Sequence, residues 1–213
     1  MNNPTNTSPL EWLDKEVRQR PFTALVFFRG EWCPWCQGYL RELGGQFLLD
    51  LRDAGGELFG VTAQSAEGAD RAKSFWKLDY EIVSDPSVAL ARRFDIAVTP
   101  KAQTPLAEVE GEYPHGMSQP GVVVLDQTGA VLVHWAIDPS EMNGGGALDR
   151  PLPPVLWAAL QAARQGLPVS LEGPRLDPPW LKANYPDAFA IFEAWMASQQ
   201  TNARRTVTDE SAP

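Results

Sequence analysis

The chain has 213 residues, a formal net charge of −9 and only two cysteines. An acidic chain lacks the clustered Lys and Arg that phosphate contacts need, so we expect no nucleic-acid partner. No apolar run approaches the roughly 18 residues of a membrane span. The polar N-terminus, Met1–Leu10, lacks the basic and apolar regions of a secretory signal, and we expect a cytoplasmic protein. Two cysteines cannot build a disulfide framework.

The first part of the chain alternates predicted helices and strands after a disordered leader over residues 1–9. An uninterrupted apolar run is typical of a central strand covered on both faces, and hydrophobic residues three and four apart indicate helices. In chain order the pattern predicts a helix at Leu10–Gln19, a strand at Phe22–Phe28, a helical segment over 34–53 with a bend at Gly44-Gly45, a strand at Glu57–Thr62, a helix at Glu67–Lys77, a strand at Tyr80–Val83 and a helix from Asp85 to about Phe94.

Residues 95–119 hold three prolines and few periodic apolar residues, which predicts a long loop or insertion. Two strands joined by a Gly-containing turn follow, at residues 121–126 and 131–136, and indicate a β-hairpin. Alternating strands and helices followed by a hairpin predict an α/β or α+β sandwich with a mixed sheet.

The chain changes character after residue 138, because ten of its nineteen prolines lie in residues 139–213. Helices are predicted at Pro154–Arg164 and Asp187–Gln200, with a Pro-rich connector between them. The many aromatic residues here need burial. We therefore predict a helical C-terminal extension over 138–200, packed on a domain formed by 10–137, and a disordered tail over 201–213. A homodimer through the Trp-rich extension is the alternative use of these aromatic residues.

The two cysteines lie where a predicted strand ends and a predicted helix begins. There Cys33 is close to the helix N-cap, where free N–H groups and the helix dipole favour an anion and can lower a thiol pKa to roughly 3.5–7.5. Pro34 suits the first helical position. Cys36 lies about one turn further on, on the same side. This spacing predicts Cys33 as an exposed nucleophile and Cys36 as a more buried resolving thiol.

Three interpretations of the Cys-Pro-Trp-Cys pair stay open. Half of a zinc site would need two further ligands, and the chain offers only His115 and His134, which form no paired motif. Two structural core cysteines are the second interpretation. The third, a redox-active dithiol that needs no cofactor and no metal, is the one we favour, because cysteine pairs in intracellular enzymes are more often catalytic or metal-binding than structural.

The segment Glu31-Trp-Cys-Pro-Trp-Cys36 resembles the active site of thioredoxin-fold proteins. Its longer context is similar to the peroxiredoxin-like members of the AhpC/TSA (redoxin) superfamily, as are Val83–Arg92 and the strand that begins at Pro120-Gly121. The resemblance covers about residues 20–137. It implies a thioredoxin-like sandwich, in which helices flank a central mixed β-sheet.

The resemblance also implies a substrate-binding surface beside the dithiol. Pro120 would be the cis-proline that precedes a strand in this fold, and the backbone next to it, at Gln119, would pair with the substrate chain. An ordinary trans proline at a strand start is the alternative. Trp32, Pro34 and Trp35 would shield the dithiol or contact substrate, with packing as the alternative for the two tryptophans. Arg29 would add positive charge near the thiolate or be a solvated strand-end residue.

Two positions depart from the patterns of related families. Phe27 stands where thioredoxins carry a buried Asp that accepts the proton of the resolving thiol. Gly30 stands where typical peroxiredoxins carry a Thr that hydrogen-bonds the peroxide. Proton transfer must therefore use water or another group, and the Thr contact of the usual peroxide pocket is missing.

Three functions follow from these observations. The first is a thiol–disulfide oxidoreductase, a peroxiredoxin-like antioxidant protein that a thiol reductant such as a thioredoxin or glutathione system resets. The second is a thiol peroxidase that reduces hydrogen or organic peroxides. The third is a non-enzymatic redox sensor or binding module, in which the state of the dithiol moves the 95–119 loop or the C-terminal extension.

Overall fold

The computed structural model describes residues 8–104, 112–187, 189–190, 193–194 and 197. Helices and strands alternate through its first half, and short elements join the C-terminal helices. The helices are α1 (Pro9–Gln19), α2 (Pro34–Leu43), α3 (Gln46–Asp53), α4 (Ala66–Trp76), α5 (Ala89–Arg93), α6 (Pro153–Arg164) and α7 (Pro178–Asn184). The strands are β1 (Phe22–Phe28), β2 (Glu57–Thr62), β3 (Glu81–Ser84), β4 (Val98–Thr99), β5 (Met117–Ser118), β6 (Gly121–Asp126), β7 (Val131–Ala136), β8 (Arg150–Pro151) and β9 (Arg175–Leu176).

Five strands form the central sheet, in the order β3-β2-β1-β6-β7. The first three strands run parallel, with Phe28 opposite Thr62, and β6 and β7 are antiparallel to their neighbours. Gly121 pairs with Phe27, so the segment before β6 lies at the end of the sheet where β1 leads into α2. The sheet is mixed and helices cover it, which confirms the predicted thioredoxin-like sandwich.

The alternation of side chains along β1 sorts the core into two layers. Ala24, Val26 and Phe28 face a layer that contains α2, α3 and α6, while Leu25 and Phe27 face a layer that contains α1 and α5. Strand β6 alternates in the same way. All these side chains are buried, which explains why β1 and β6 appear in the sequence as continuous apolar runs.

Several boundaries differ from the sequence-based expectation for local reasons. The helix α1 begins at Pro9, because Ser8 caps it with a reciprocal capping box. The bend expected at Gly44-Gly45 is a complete break between α2 and α3. Helix α5 begins at Ala89 rather than beside Asp85, although the Asp85 carboxylate still accepts hydrogen bonds from its first N–H groups.

Short elements also occur inside both segments expected to be irregular. The predicted 95–119 loop contains β4 and β5, which pair with each other, and the predicted connector contains β9 and α7. Of the helix predicted over 187–200, the described residues are helical, while Phe192 and Trp195 lie outside the described residues, as do residues 1–7 and the 201–213 tail.

The segment after β7 covers the sheet face that carries α2 and α3. Leu148, Leu156, Leu160, Leu176 and Leu181 are buried in one hydrophobic cluster with the residues of those helices. Trp157 meets Phe47 edge-to-face at a centroid distance of 6.4 Å. The side chains that join the extension to the rest of the protein therefore lie around α2, the helix that begins at the cysteines.

Removal of one hydroxyl tests this packing. Tyr39 of α2 donates to the Pro151 carbonyl at 2.8 Å, and both groups are buried. We expect Tyr39→Phe to lower the free energy of unfolding by about 1–3 kcal/mol, because the carbonyl is left without a donor. Urea denaturation measures the loss, and limited proteolysis after residue 137 measures loosening of the extension.

The matched control is Tyr80→Phe. Tyr80 donates to the Leu40 carbonyl, also at 2.8 Å, and is about equally buried, but its hydroxyl bonds to α2 and not to the extension. This variant should lose a similar amount of stability without faster cleavage after residue 137. Equal cleavage rates in the two variants would contradict the assigned contact.

Candidate active site

Cys33 and Cys36 are free thiols at the junction of β1 and α2. Cys33 is the N-cap of α2, and its Sγ accepts a hydrogen bond from the Cys36 N–H at 3.3 Å. Pro34 occupies the first helical position, as predicted. The prediction of an exposed Cys33 is wrong, since the residue is 2% exposed and Cys36 is 0% exposed. The apolar layer that covers α2 also covers its first turn, and the pair lies within it.

Arg29 is held beside the dithiol by groups from two distant segments. Its Nε donates to Gln119 Oε1 at 3.0 Å, and its Nη2 donates to the Gly145 carbonyl. Gln119 is buried, its side-chain amide donates to Thr99, and its backbone N–H donates to Ala97. Gln119 therefore orients Arg29, and its backbone N–H is already paired within the protein.

A second guanidinium, from Arg150 at the start of the C-terminal extension, lies against Cys36. Arg150 Nη2 is 3.7 Å from Cys36 Sγ and donates to the Gly146 carbonyl at 3.2 Å, while Nη1 is 3.4 Å from the Trp35 carbonyl. The Tyr39 ring lies 5.5 Å from the guanidinium carbon. Arg150 is 0% exposed, so its charge acts on the thiols with little solvent screening.

Burial and these two charges act on the thiols in opposite directions. Burial raises the pKa of Cys36, but a hydrogen bond from the Cys33 thiol and the charges of Arg150 and Arg29 outweigh it and lower that pKa to about 5. Burial, the hydrogen bond to Cys36 and the Cys36 charge raise the pKa of Cys33 well above its usual range. The two guanidinium charges thus favour a thiolate at Cys36, beside Arg150, over one at Cys33.

The aromatic residues next to the cysteines differ in exposure. Trp35 is buried in the core layer of α2. Trp32 is half-buried, packs against both core layers and donates from Nε1 to the Tyr113 hydroxyl at 2.9 Å. Pro34 is also half-buried. Of the predicted substrate-binding residues, Trp32, Pro34 and Arg29 are therefore those that reach the surface.

The cis peptide bond predicted at Pro120 is absent, since the described chain contains only trans peptide bonds. The chain approaches Pro120 in extended form, because β5 pairs with β4 and the Gln119 N–H donates to Ala97. Extended backbone is what a residue before a trans proline prefers, and the trans bond is also favoured by about 0.5–1 kcal/mol. Pro120 is an ordinary proline before a strand.

The missing side chain at Gly30 allows two polar groups to approach the site. A Cβ at this position would lie 2.0 Å from the Tyr113 hydroxyl and 2.7 Å from Gln64 Oε1. The Tyr113 hydroxyl donates to the Arg29 carbonyl, and Gln64 Oε1 accepts from the Glu31 N–H. These contacts fix the loop between β1 and Cys33. Phe27 points to the opposite core layer, where it packs on Phe94.

Two of the residues around the dithiol, Arg150 and Tyr113, were not predicted from the sequence. Arg150 lies 114 residues from Cys36, and Tyr113 lies inside a segment expected to be irregular. Neither belongs to a motif with chemical meaning. The sequence signal was weak: an Asp-Arg pair, Asp149-Arg150, in the otherwise apolar stretch Ala147 to Val155.

Other features of the described residues complete the site's surroundings. A surface cavity of about 460 Å³ opens beside the loop and is lined by Glu31, Arg71, Ser74 and Phe75. Within the described ranges no three His, Cys, Asp or Glu side chains form a group that could hold a metal ion. No described helix has both the length and the apolar character needed to cross a membrane.

Comparison with known proteins defines the class of this fold and site. Residues 13–134, more than half of the chain, match the sequence model of the AhpC/TSA family. The peroxidoxin BcpB of Mycobacterium tuberculosis has a similar structure, with a TM-score of 0.51, 12% identity, and coverage of 73% of this chain and 85% of BcpB. Enterococcus faecalis AhpC gives a TM-score of 0.50 at 18% identity, over 70% of this chain and 81% of AhpC. A search of curated proteins finds no sequence match.

These findings make the chain a thioredoxin-fold oxidoreductase of the peroxiredoxin-like type. It belongs to the AhpC/TSA family, as the Cys-Pro-Trp-Cys segment and its flanking strands predicted. The match ends before Arg150, so one of the two guanidinium groups at the dithiol comes from outside the family segment.

The charge on the dithiol should be measurable by ultraviolet thiolate absorbance. The pKa of Cys36 is lowered, so the ionised form is favoured and absorbance should rise as the pH increases through about 5. An ordinary cysteine would show this rise near 8.5. Cys36→Ser should remove the rise at low pH. A single rise near 8.5 in the wild-type protein would contradict the lowered pKa that the contacts with Arg150 and Arg29 predict for Cys36.

The space at Gly30 yields a second prediction. We expect Gly30→Ala to lower the free energy of unfolding by about 1–3 kcal/mol, since the new methyl group overlaps the Tyr113 hydroxyl. Tyr113→Phe removes that hydroxyl and should make Gly30→Ala less costly. A double-mutant cycle by urea denaturation should give a coupling of at least about 0.5 kcal/mol. Additive losses would show that the overlap is relieved elsewhere.

Proposed function

We propose that this chain is a thiol–disulfide oxidoreductase that cycles between the Cys33/Cys36 dithiol and a Cys33–Cys36 disulfide. One observation carries the proposal: two thiols in hydrogen-bonding contact lie at a helix N-terminus beside two guanidinium groups. Proximity allows the pair to form a bond to each other, and the positive charges stabilise the thiolate that thiol–disulfide exchange requires.

The reaction transfers two electrons from the dithiol to a substrate disulfide. Cys33 Sγ attacks one substrate sulfur, a mixed disulfide forms, and the other substrate sulfur leaves as a thiolate that takes up a proton. Cys36 Sγ then attacks Cys33 Sγ and expels the second substrate thiol. One of the two protons comes from Cys33 and the other from solvent, because Cys36 begins as the thiolate.

Cys33 is the proposed nucleophile because its sulfur caps α2 and accepts the Cys36 N–H. A negative charge that develops there is stabilised by the helix N-terminus. The Cys36 thiolate, held by Arg150, can accept the Cys33 proton as the attack proceeds. When Cys36 attacks in turn, this proton passes to the departing substrate thiolate, so the step needs no acceptor at the position of Phe27.

Substrate access requires a local opening, because Cys33 is only 2% exposed. Trp32 and Pro34 reach the surface on either side of it and are the proposed contacts for an extended substrate chain. Arg29 adds positive charge there. The side chain of Gln119 supports the site through Arg29. We therefore assign substrate contact to the Trp32 side of the dithiol and not to Gln119 or Pro120.

Thiol peroxidase activity is the second candidate, and membership of the AhpC/TSA family favours it. The Cys33 thiolate would attack one peroxide oxygen, release an alcohol or water, and become a sulfenic acid. Cys36 would condense with the sulfenic acid to give the same disulfide and one water. Gly30 carries no side-chain hydroxyl that could hydrogen-bond a peroxide, and this favours the disulfide as the better substrate.

A reductant must return the disulfide to the dithiol in either reaction. We propose a small dithiol protein of the thioredoxin type or glutathione, because both attack disulfides by the same exchange chemistry. A reducing compartment such as the cytoplasm supplies them. A second copy of the chain is not needed to complete the site described above.

Two variants test the assignment of roles. Cys33→Ser should abolish reduction of insulin disulfides. Cys36→Ser should still form a mixed disulfide once, because Cys33 remains, but should not turn over. Mass spectrometry of the trapped adduct and a turnover assay measure the two effects. Loss of adduct formation in Cys36→Ser, with adduct retained in Cys33→Ser, would reverse the roles.

Stopped-flow oxidation by hydrogen peroxide separates the two candidate substrates. Reduced wild-type protein should react with peroxide no faster than a free thiolate while it reduces insulin. A much faster peroxide reaction that Cys33→Ser abolishes would establish the peroxidase instead.

A further inference from the structure

Arg150 has an unusual environment for a charged side chain. It is completely buried, and none of the ion pairs formed among the described residues includes it. Its Nε has no hydrogen-bond partner in this part of the chain. Charged side chains are almost never fully buried unless they are paired, so this guanidinium needs a counter-charge.

The groups around Arg150 identify that counter-charge. Cys36 and Cys33 face it from α2, and Tyr39 faces it from the same helix with a pKa that burial raises, so this phenol stays neutral. Arg29 and Arg175 add only positive charge. The adjacent carboxylate, Asp149, is exposed and faces Arg175 at 3.8 Å. Among the residues that the structure describes, the thiolate of the reduced dithiol is therefore the anion that faces Arg150.

Oxidation removes this anion. When the dithiol becomes a disulfide, Cys33–SH and Cys36–S⁻ release one proton and two electrons, and the electrons go to the substrate disulfide. The guanidinium of Arg150 then lies buried beside a neutral sulfur, a situation that strongly destabilises a protein. The extension that carries Arg150 is therefore bound more favourably to the reduced pair.

We propose that Arg150 couples the C-terminal extension to the redox state of the dithiol. The extension stabilises the reduced pair and thereby makes the disulfide a stronger oxidant, and the reduced pair in turn holds the extension in place. Both effects express one coupling free energy, so they must have the same size. This inference rests on the proposed dithiol–disulfide cycle.

Redox equilibration with glutathione buffers tests the first effect. Arg150→Met keeps a similar volume without charge, and apolar replacement of a buried ion is often tolerated. We expect it to favour the disulfide at least tenfold, about 30 mV toward a more reducing potential. Arg150→Lys should restore part of the difference. The control is Arg164→Met on α6, where an exposed guanidinium stacks on Phe22, and it should leave the potential unchanged.

Limited proteolysis of the full chain tests the reciprocal effect. In the wild-type protein and in Arg164→Met, cleavage after residue 137 should be at least about tenfold faster in the oxidised form than in the reduced form, the same factor as for the redox equilibrium. In Arg150→Met the two forms should be cut at similar rates. An unchanged potential in Arg150→Met, or a redox-dependent cleavage that persists in it, would overturn the proposal.

Thiolate absorbance separates failure of this inference from failure of the proposed function. If the pair never forms a disulfide in the glutathione buffers, the oxidoreductase assignment is wrong. The thiolate titration does not need the disulfide, and Arg150→Met should still shift it upward by at least one pH unit. An unshifted titration would show that Arg150 does not act on the thiols.

Discussion

The contact between the Arg150 guanidinium and the dithiol is the interaction on which the rest of the site depends. It places a full positive charge in an apolar layer, where it is stable only with an anion beside it. The anion is a thiolate whose formation the same charge favours. The two groups belong to segments separated by more than half the chain, so the contact also determines how the extension lies on α2.

The Arg150 guanidinium changes the reactivity that is expected of the buried thiols. Burial alone would keep both cysteines protonated and unreactive. Two guanidinium groups, a hydrogen bond from the Cys33 thiol and a backbone hydrogen bond from Arg29 offset that effect at Cys36. The dithiol is thus shielded from solvent, and the few charges near it determine the pKa of the thiols and hence their reactivity. In contrast, an exposed dithiol would depend mainly on solvent and on the helix dipole.

Local patterns predicted most of the sheet and the position of the dithiol. The bounds of β1, β2, β6 and β7 follow from the apolar runs of the sequence, and α2 begins where Cys-Pro suits a helix N-terminus. Helix α5 begins after Val88, which has a positive φ that the sequence did not signal, and the extended chain before Pro120 depends on the pairing of β5 with β4, which local patterns do not contain. The partners of the cysteines were the least predictable, because a buried arginine resembles an exposed one in the sequence.

The C-terminal extension completes the hydrophobic core, so the folding unit of this protein extends beyond the family segment. The match to the AhpC/TSA family ends at residue 134, but the hydrophobic cluster beneath α2 is completed by leucines from residue 148 onward. A chain shortened to the family segment would expose that apolar face to water and lose Arg150, one of the two cations beside its thiols. The end of the family match and the physical boundary of the molecule therefore do not coincide.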